Sequence, residues 1–204
     1  MDNQIEQKSK DASHNVARGH STTGRARGYP KRSFGRRDMP FKQTKKNDDV
    51  IPPIGENIRI IPLGGVEEVG KNMTIIEYKD DIIVVDMGFM FKDDDTPGID
   101  YILPNTKYIE DKKDKIRAVF ITHGHLDHIG GIPYIMDRIG NPPLYTRALT
   151  SIMIRKRQEE FPHLPELNIK VIEKEDTITV GGLKVRFFAV THTIPDSMGI
   201  IIDT

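Results

Sequence analysis

From residue 58 onward the chain is a succession of short apolar runs separated by polar turns, and most runs have the length and β-branched content of strands. IRIIPL, residues 58–63, is the first and is closed by Gly64-Gly65. Residues 73–78 and 82–85 follow as two strands joined by a polar turn at 79–81. Residues 89–105 read as one long loop, and 105–115 as a short polar helix. A buried strand is expected at 117–121. A helix is expected over 129–139, with Ile132, Ile135, Met136 and Ile139 at helical spacing. Leu144-Tyr145 is a short strand, and 148–160 a helix with Ile152 and Ile154 partly buried. Strands at 169–172, 177–180 and 184–190 come next, the last two joined by a Gly181-Gly182 hairpin turn. One more begins at 198–202.

Residues 1–55 break this pattern. They contain few large apolar side chains and are rich in Gly, Ser, Arg, Lys, Asn and Asp, so burial cannot offset the entropy of ordering them; they are expected to be disordered. They carry 12 Lys/Arg against 6 Asp/Glu, which leaves 18 against 24 for the other 149 residues of the 204. The formal net charge of zero thus conceals a basic arm on an acidic body, an asymmetry that points to a nucleic-acid partner. Within the arm, GRARGYPKRSFGRR interleaves arginine with Tyr29 and Phe34. That pattern suits RNA contact through phosphates and stacking, or else a solvated tail. His14 and His20 lie in this arm and are not expected to be ligands.

Cysteine is absent, which excludes disulfides and thiolate metal sites and leaves only nitrogen and oxygen ligands. No run of 18 apolar residues offers a membrane span, and MDNQIEQKSK lacks the apolar core of a signal peptide. A cytoplasmic location is expected.

The chemistry concentrates in ITHGHLDHIGG, residues 121–131. His123, His125, Asp127 and His128 form His-x-His-x-Asp-His between a buried strand and a helix. Where a strand ends, the backbone can curl so that residues i and i+2 aim at one point. His123 and His125 can therefore share one metal, with Asp127 and His128 reaching a second beside it. Imidazole and carboxylate suit zinc, with manganese as an alternative. Such centres hold two ions about 3.5–4 Å apart and generate hydroxide at neutral pH. His192, at the end of a later buried strand, is the natural third nitrogen for the first ion. Asp86, directly after IIVV, reads either as a strand-end cap or as part of the site.

Other motifs are weaker. Asp93, Asp94, Asp95 and Asp100 around Pro97-Gly98 are an exposed acidic loop or a calcium site without EF-hand spacing. Gly65-x-x-x-x-Gly70-Lys71 resembles a phosphate loop, but Asn72 stands where Ser or Thr would hold magnesium. Glu67 and Glu68 would also sit inside the anion cradle, and a strand follows where a helix belongs, so nucleotide binding is rejected. His163 between two prolines reads as structural or exposed, and the stripe Arg155, Lys156, Arg157 as a solvated face.

HGHLDH after a hydrophobic strand, with Asp86 ending an earlier one, resembles the metallo-β-lactamase fold. PLGGVEEVGKN, PGIDYILP, ITHGHLDHIGGIPY and THTIPDSMGI together resemble ribonuclease J, of the β-CASP branch, from about residue 58 to the C-terminus. The resemblance implies an α/β (α+β) architecture, an αββα sandwich, and a two-zinc ribonuclease with manganese or magnesium as substitutes. Such an enzyme cuts RNA endonucleolytically and degrades it from the 5′ end, in rRNA processing and mRNA decay. It further implies that His123, His125 and His192 bind one zinc. Asp127 and His128 would bind the other, Asp127 would handle the proton of the attacking water, and Asp86 would orient the ligands from behind. The carbonyl of Gly98 and the carboxylate of Asp100 would bind calcium. RNA, a second copy of the chain and other RNA-decay proteins are the implied partners, with no membrane. Thr193 departs from the family's serine but keeps a hydroxyl. The family's Thr-Gly-Asp aspartate, last zinc-binding histidine, 5′-end pocket and β-CASP domain are not found in these residues. Residues 56–204 are therefore expected to be the N-terminal part of an incomplete domain, inactive or nearly so alone. Another hydrolase of the same fold and a non-catalytic RNA-binding subunit are the rival readings.

Overall fold

A computed structural model of the chain describes residues 55–91 and 97–204. The expected basic arm up to residue 54, with Tyr29, Phe34, His14 and His20, lies outside the described residues, as do Asp93, Asp94 and Asp95.

A six-stranded sheet forms the centre. Its strands are β1 (Ile58–Gly64), β2 (Met73–Tyr78), β3 (Asp81–Val85), β6 (Ile116–Phe120), β7 (Leu144–Thr146) and β8 (Ile169–Val171), in that spatial order. The first three pair antiparallel, while β3, β6, β7 and β8 run parallel. Parallel central strands are covered on both faces, which is why IIVV and AVF are unbroken apolar runs. Alternate side chains divide them. Ile75, Ile82, Val84, Val119 and Leu144 face one core with Ile109, Ile132, Ile135, Ile139 and Ile154 from the helical segments. Ile76, Ile83, Ala118 and Phe120 face the other core, shared with a second sheet.

That second sheet is antiparallel: β9 (Thr177–Val180), β10 (Leu183–Ala189) and β11 (Met198–Asp203), with β10 in the middle. Val180, Leu183, Val185, Phe187 and Met198 turn inward. The ring of Phe120 stacks on Tyr145 at 5.2 Å and lies 5.8 Å from Phe187, joining the two sheets. Helices, first sheet and second sheet are three layers of the expected sandwich. On the outer face of β10 and β11, Phe188 and Ile201 are exposed.

Several elements differ from the sequence reading. The expected loop 89–105 contains a two-stranded ribbon, β4 (Met90–Phe91) with β5 (Tyr101–Ile102). The expected helix 105–115 is α1 (Lys107–Glu110) followed by a 3-10 turn at Lys113–Lys115. The helix 129–139 starts early and is interrupted, as α2 (Leu126–Ile129) and α3 (Ile132–Ile135). The Gly130-Gly131 step between them is held by Gly131 N–H donating to Met87 O at 2.9 Å, a partner outside the helix. In α4 (Ala148–Gln158), Ile154 is buried but Ile152 is exposed, because two residues along a helix turn a side chain to a different face. The Gly181-Gly182 hairpin forms as read, while the turn expected at 79–81 is shorter, with Asp81 already in β3 and paired with Tyr78.

Candidate metal centre

The site lies where β3 and β6 end side by side and the loop after β10 folds over them. Parallel pairing of β3 with β6 puts Asp86 beside Thr122, and Asp86 N–H donates to Phe120 O at 2.9 Å. Residues 190–197 close on themselves through Val190 N–H to Ser197 O (3.1 Å). Met198 N–H to Thr122 O (3.0 Å) then ties this loop to the end of β6. Asp196 anchors it further, accepting from Arg147 Nε (2.9 Å) and from Leu149 N–H (3.0 Å). Ligands at the carboxyl ends of parallel strands are the general arrangement in open α/β sheets.

Three imidazoles converge there. His123 Nε2 and His192 Nε2 each lie 3.1 Å from His125 Nδ1, and the three ligand atoms fall within 4.8 Å of one another. One ring nitrogen has a single in-plane position for a proton or a lone pair, so it cannot serve two imidazole partners as hydrogen bonds. A shared cation can serve all three. Nitrogens about 2.05 Å from a tetrahedral zinc stand ~3.3 Å apart, near the observed spacing. The set runs from buried His123 through half-buried His125 to exposed His192.

Behind the histidines, the hydrogen bonds assign the tautomers. Thr122 donates its backbone N–H (2.8 Å) and its hydroxyl (2.9 Å) to the Asp86 carboxylate. The Thr122 oxygen is then free to accept from His123 Nδ1 at 2.9 Å, which leaves His123 Nε2 bare and facing the cluster. Asp86 also accepts from His128 Nδ1 at 2.8 Å, leaving Nε2 bare there too. Burial, reinforced by the neighbouring His128 imidazole and opposed by Asp86, pushes the His123 imidazole down to about 4. Burial also works against the His128 imidazolium. The hydrogen bond and charge of Asp86, joined by the charge of Asp127, outweigh it and hold His128 above its ordinary value.

Asp127 Oδ2 and His128 Nε2 lie 3.4 Å apart, and the His123 and His128 rings have centroids 4.0 Å apart. The turn carrying this pair is gripped by backbone: Asn72 N–H to Asp127 O (2.9 Å), Met87 N–H to His128 O (2.8 Å) and Phe89 N–H to Leu126 O (3.4 Å). Gly88 is required at this contact. A Cβ there would come within 1.6 Å of the Asp127 carbonyl oxygen. In front of the pair opens a groove of about 630 Å³, walled by Val69, Phe91, Leu126, His125 and Asp127.

The sequence profile of the Metallo-beta-lactamase superfamily matches residues 66–203, more than half of the chain. The chain belongs to the metallo-beta-lactamase superfamily. Within that superfamily it is 39% identical over 149 residues to ribonuclease J2 of Bacillus subtilis (strain 168), covering 73% of this chain and 27% of that protein. It is 42% identical over 147 residues to ribonuclease J 1 of Streptococcus pyogenes serotype M3, covering 72% and 26%. The ribonuclease J of Thermus thermophilus is 39% identical over 155 residues, covering 73% and 27%. The chain thus spans about a quarter of the length of these curated relatives. A protein of unknown function from Enterococcus faecalis V583 shares the fold, with TM-score 0.55 at 22% identity over 71% of this chain and 40% of that one. Divalent metal binding accords with the metallo-beta-lactamase fold and the histidine triad.

The structure thus brings His123, His125 and His192 into one cluster, sets Asp127 and His128 beside it, and puts Asp86 behind both groups. Gly98 and Asp100 are elsewhere, on an exposed turn before β5, with Gly98 at φ +84°. Among the described residues Asp100 joins no cluster of three metal-ligating side chains. His163 is exposed. Lys156 and Arg157 pair with Glu159 and Glu160 along their own helix. In the phosphate-loop lookalike, Glu68 accepts from Gly65 N–H at 3.1 Å and pairs with Lys71 at 3.0 Å, so the loop uses its own carboxylate where an anion would bind. Two polar contributors escaped the sequence reading. Thr122 was given no role, and Asn72 looked like a failed magnesium ligand. No helix among the described residues is long and apolar enough to cross a membrane.

Proposed function

We propose that this chain carries the metal-binding half of a two-metal ribonuclease active site, acting on RNA in processing and decay from the 5′ end and internally. One observation carries the reading: three imidazole ring nitrogens converge within 4.8 Å of one another, beside an aspartate–histidine pair whose ligand atoms lie 3.4 Å apart. The likeness to ribonuclease J proteins supports RNA as the substrate. His123, His125 and His192 would hold one zinc, and Asp127 and His128 would contribute to a second, with manganese or magnesium as substitutes. Bound there, the ions supply acidified water and neutralise charge developing on the phosphodiester. Asp127, at the mouth of the groove, receives the proton of the attacking water. His128 stays oriented through its Nδ1 hydrogen bond to Asp86, and His123 through Thr122. Val69, Phe91 and Leu126 give one side of the groove an apolar surface.

By the same likeness, Gly98 and Asp100 bind calcium, the complete protein is a cytoplasmic homo-oligomer, and it works with other RNA-decay proteins. Because the chain spans about a quarter of its relatives, hydrolysis is proposed for a protein that contains this segment. The 204 residues alone are expected to bind metal and cleave RNA poorly. Zinc titration of the chain by calorimetry should show binding that His123→Ala and His192→Ala each abolish. In a protein extended to its relatives' length, divalent-dependent RNA cleavage should vanish with His123→Ala. Zinc binding indifferent to both histidines would overturn the reading, as would robust RNA cleavage by the 204 residues that is lost on His123→Ala.

A further inference from the structure

Among the described residues, Asn72 is the neutral side chain that reaches both members of the Asp127–His128 pair. Its Nδ2 lies 3.0 Å from Asp127 Oδ2, 3.2 Å from His128 Nε2 and 3.1 Å from the Asp127 carbonyl oxygen. Its backbone N–H reaches that same carbonyl at 2.9 Å, and its own carbonyl accepts from Gly88 N–H at 2.9 Å. A primary amide has two hydrogens, so three acceptors around it share them. What they share is a pair of amide hydrogens held between the Asp127 carboxylate oxygen and the His128 ring nitrogen, which draws the two side chains toward one another.

The support is uneven, and that decides the role. His128 is oriented on its far side by Asp86 whether or not Asn72 is present. Asp127 has no such second anchor: among the described residues its carboxylate meets only Asn72 and His128. The Asp127 carboxylate is also more open to solvent than its neighbour, with 37% of the side chain exposed against 19% for His128. An exposed carboxylate on a four-residue helix loses rotamer entropy when an ion fixes it, unless a neighbour has already fixed it.

We propose that Asn72 is a positioning residue for the second metal subsite, fixing the Asp127 carboxylate toward His128 before an ion arrives and leaving the three-histidine subsite untouched. This rests on the two-metal reading above. Groups that orient metal ligands change metal affinity about 10- to 100-fold when removed. The effect here falls on one subsite only, because none of the hydrogen bonds of Asn72 reaches His123, His125 or His192.

The test is a Zn²⁺ titration of the isotopically labelled 204-residue chain, following the ring resonances of His128 and His192 separately by NMR. This reads each subsite at its own midpoint, however weak. Asn72→Ala removes the amide, and Asn72→Leu replaces it with an apolar group of similar size that guards against a simple cavity effect. In both variants the His128 midpoint is expected to rise tenfold or more while the His192 midpoint stays where it is in the unaltered chain. An unmoved or lowered His128 midpoint would overturn the proposal, and so would a parallel shift of both midpoints, which would mark Asn72 as general scaffold. If neither histidine of the unaltered chain responds to Zn²⁺, the metal reading itself fails and this proposal falls with it.

Discussion

Asp86→Asn separates the charge of this residue from its shape. Asp86 is 6% exposed and sits at φ +60°, a left-handed conformation that asparagine also tolerates, so the substitution adds neither volume nor backbone strain. The carboxylate accepts three donors: Thr122 N–H at 2.8 Å, the Thr122 hydroxyl at 2.9 Å and His128 Nδ1–H at 2.8 Å. An amide offers one oxygen and one NH₂, so one way or the other its NH₂ faces a former donor. A backbone N–H cannot change its proton, and an imidazole can. The NH₂ should therefore turn to His128, whose proton moves from Nδ1 to Nε2. The stability cost is that of one weakened buried hydrogen bond to a charged group, about 1–3 kcal/mol. The functional cost is larger, because Nε2 then points a hydrogen where it offered a lone pair. Affinity for an ion at the Asp127–His128 pair should fall about 10- to 100-fold. Urea unfolding measures the first quantity, and the imidazole ¹⁵N shifts of His128 report the tautomer directly. If His128 retains its Nδ1 proton and its Zn²⁺ midpoint is unchanged, the assignment of Asp86 as the tautomer-setting group is wrong.

Three further outcomes are expected. Asp196→Ala frees the loop that bears His192 from Arg147 and from Leu149 N–H. It should cost about 1–3 kcal/mol in urea unfolding and weaken Zn²⁺ binding read at His192. Gly88→Ala drives a methyl into the Asp127 carbonyl, and since the obstruction is backbone it should cost about 3 kcal/mol or more by thermal unfolding; a neutral effect would contradict the close approach. Glu77→Ala strips a carboxylate that is 1% exposed from Arg59 and Lys112. Because those partners keep 21% and 32% of their side-chain exposure, water screens part of the loss, and about 1–3 kcal/mol is expected with no change in Zn²⁺ binding.

The candidate cluster was legible because its chemistry is local. Four metal-ligating side chains in six positions have few other uses, and His192 stands out at the end of an apolar strand. Their supports were not legible, because each acts across a distance the sequence does not display. Asn72 reaches Asp127 over 55 positions, and Thr122 matters only because parallel pairing sets it beside Asp86, 36 positions away. The β4–β5 ribbon escaped for another reason. Two residues per strand are too few for any alternation to register. Ile152 was expected to be partly buried, yet its place on the helix turns it outward, while Ile154 two positions on is buried.

The ligand turn is fastened to its neighbours in large part by main-chain atoms: Asn72, Met87, Phe89 and Gly131 all meet residues 126–128 or residue 87 through N–H and C=O groups, and the side chains of Asn72 and Asp86 add to them. The main-chain part of the joint is insensitive to substitutions that leave the backbone in place, since every residue but proline presents the same donor and acceptor. The walls of the adjoining groove are different. Val69, Phe91 and Leu126 are exposed by 89%, 60% and 38%, and little packs on them. Substitution of Val69 or Phe91 is therefore expected to change the groove surface while the backbone bonds that place Asp127 and His128 stay in register. In engineering terms, a library confined to those two positions would vary the groove and leave the histidine cluster as it is.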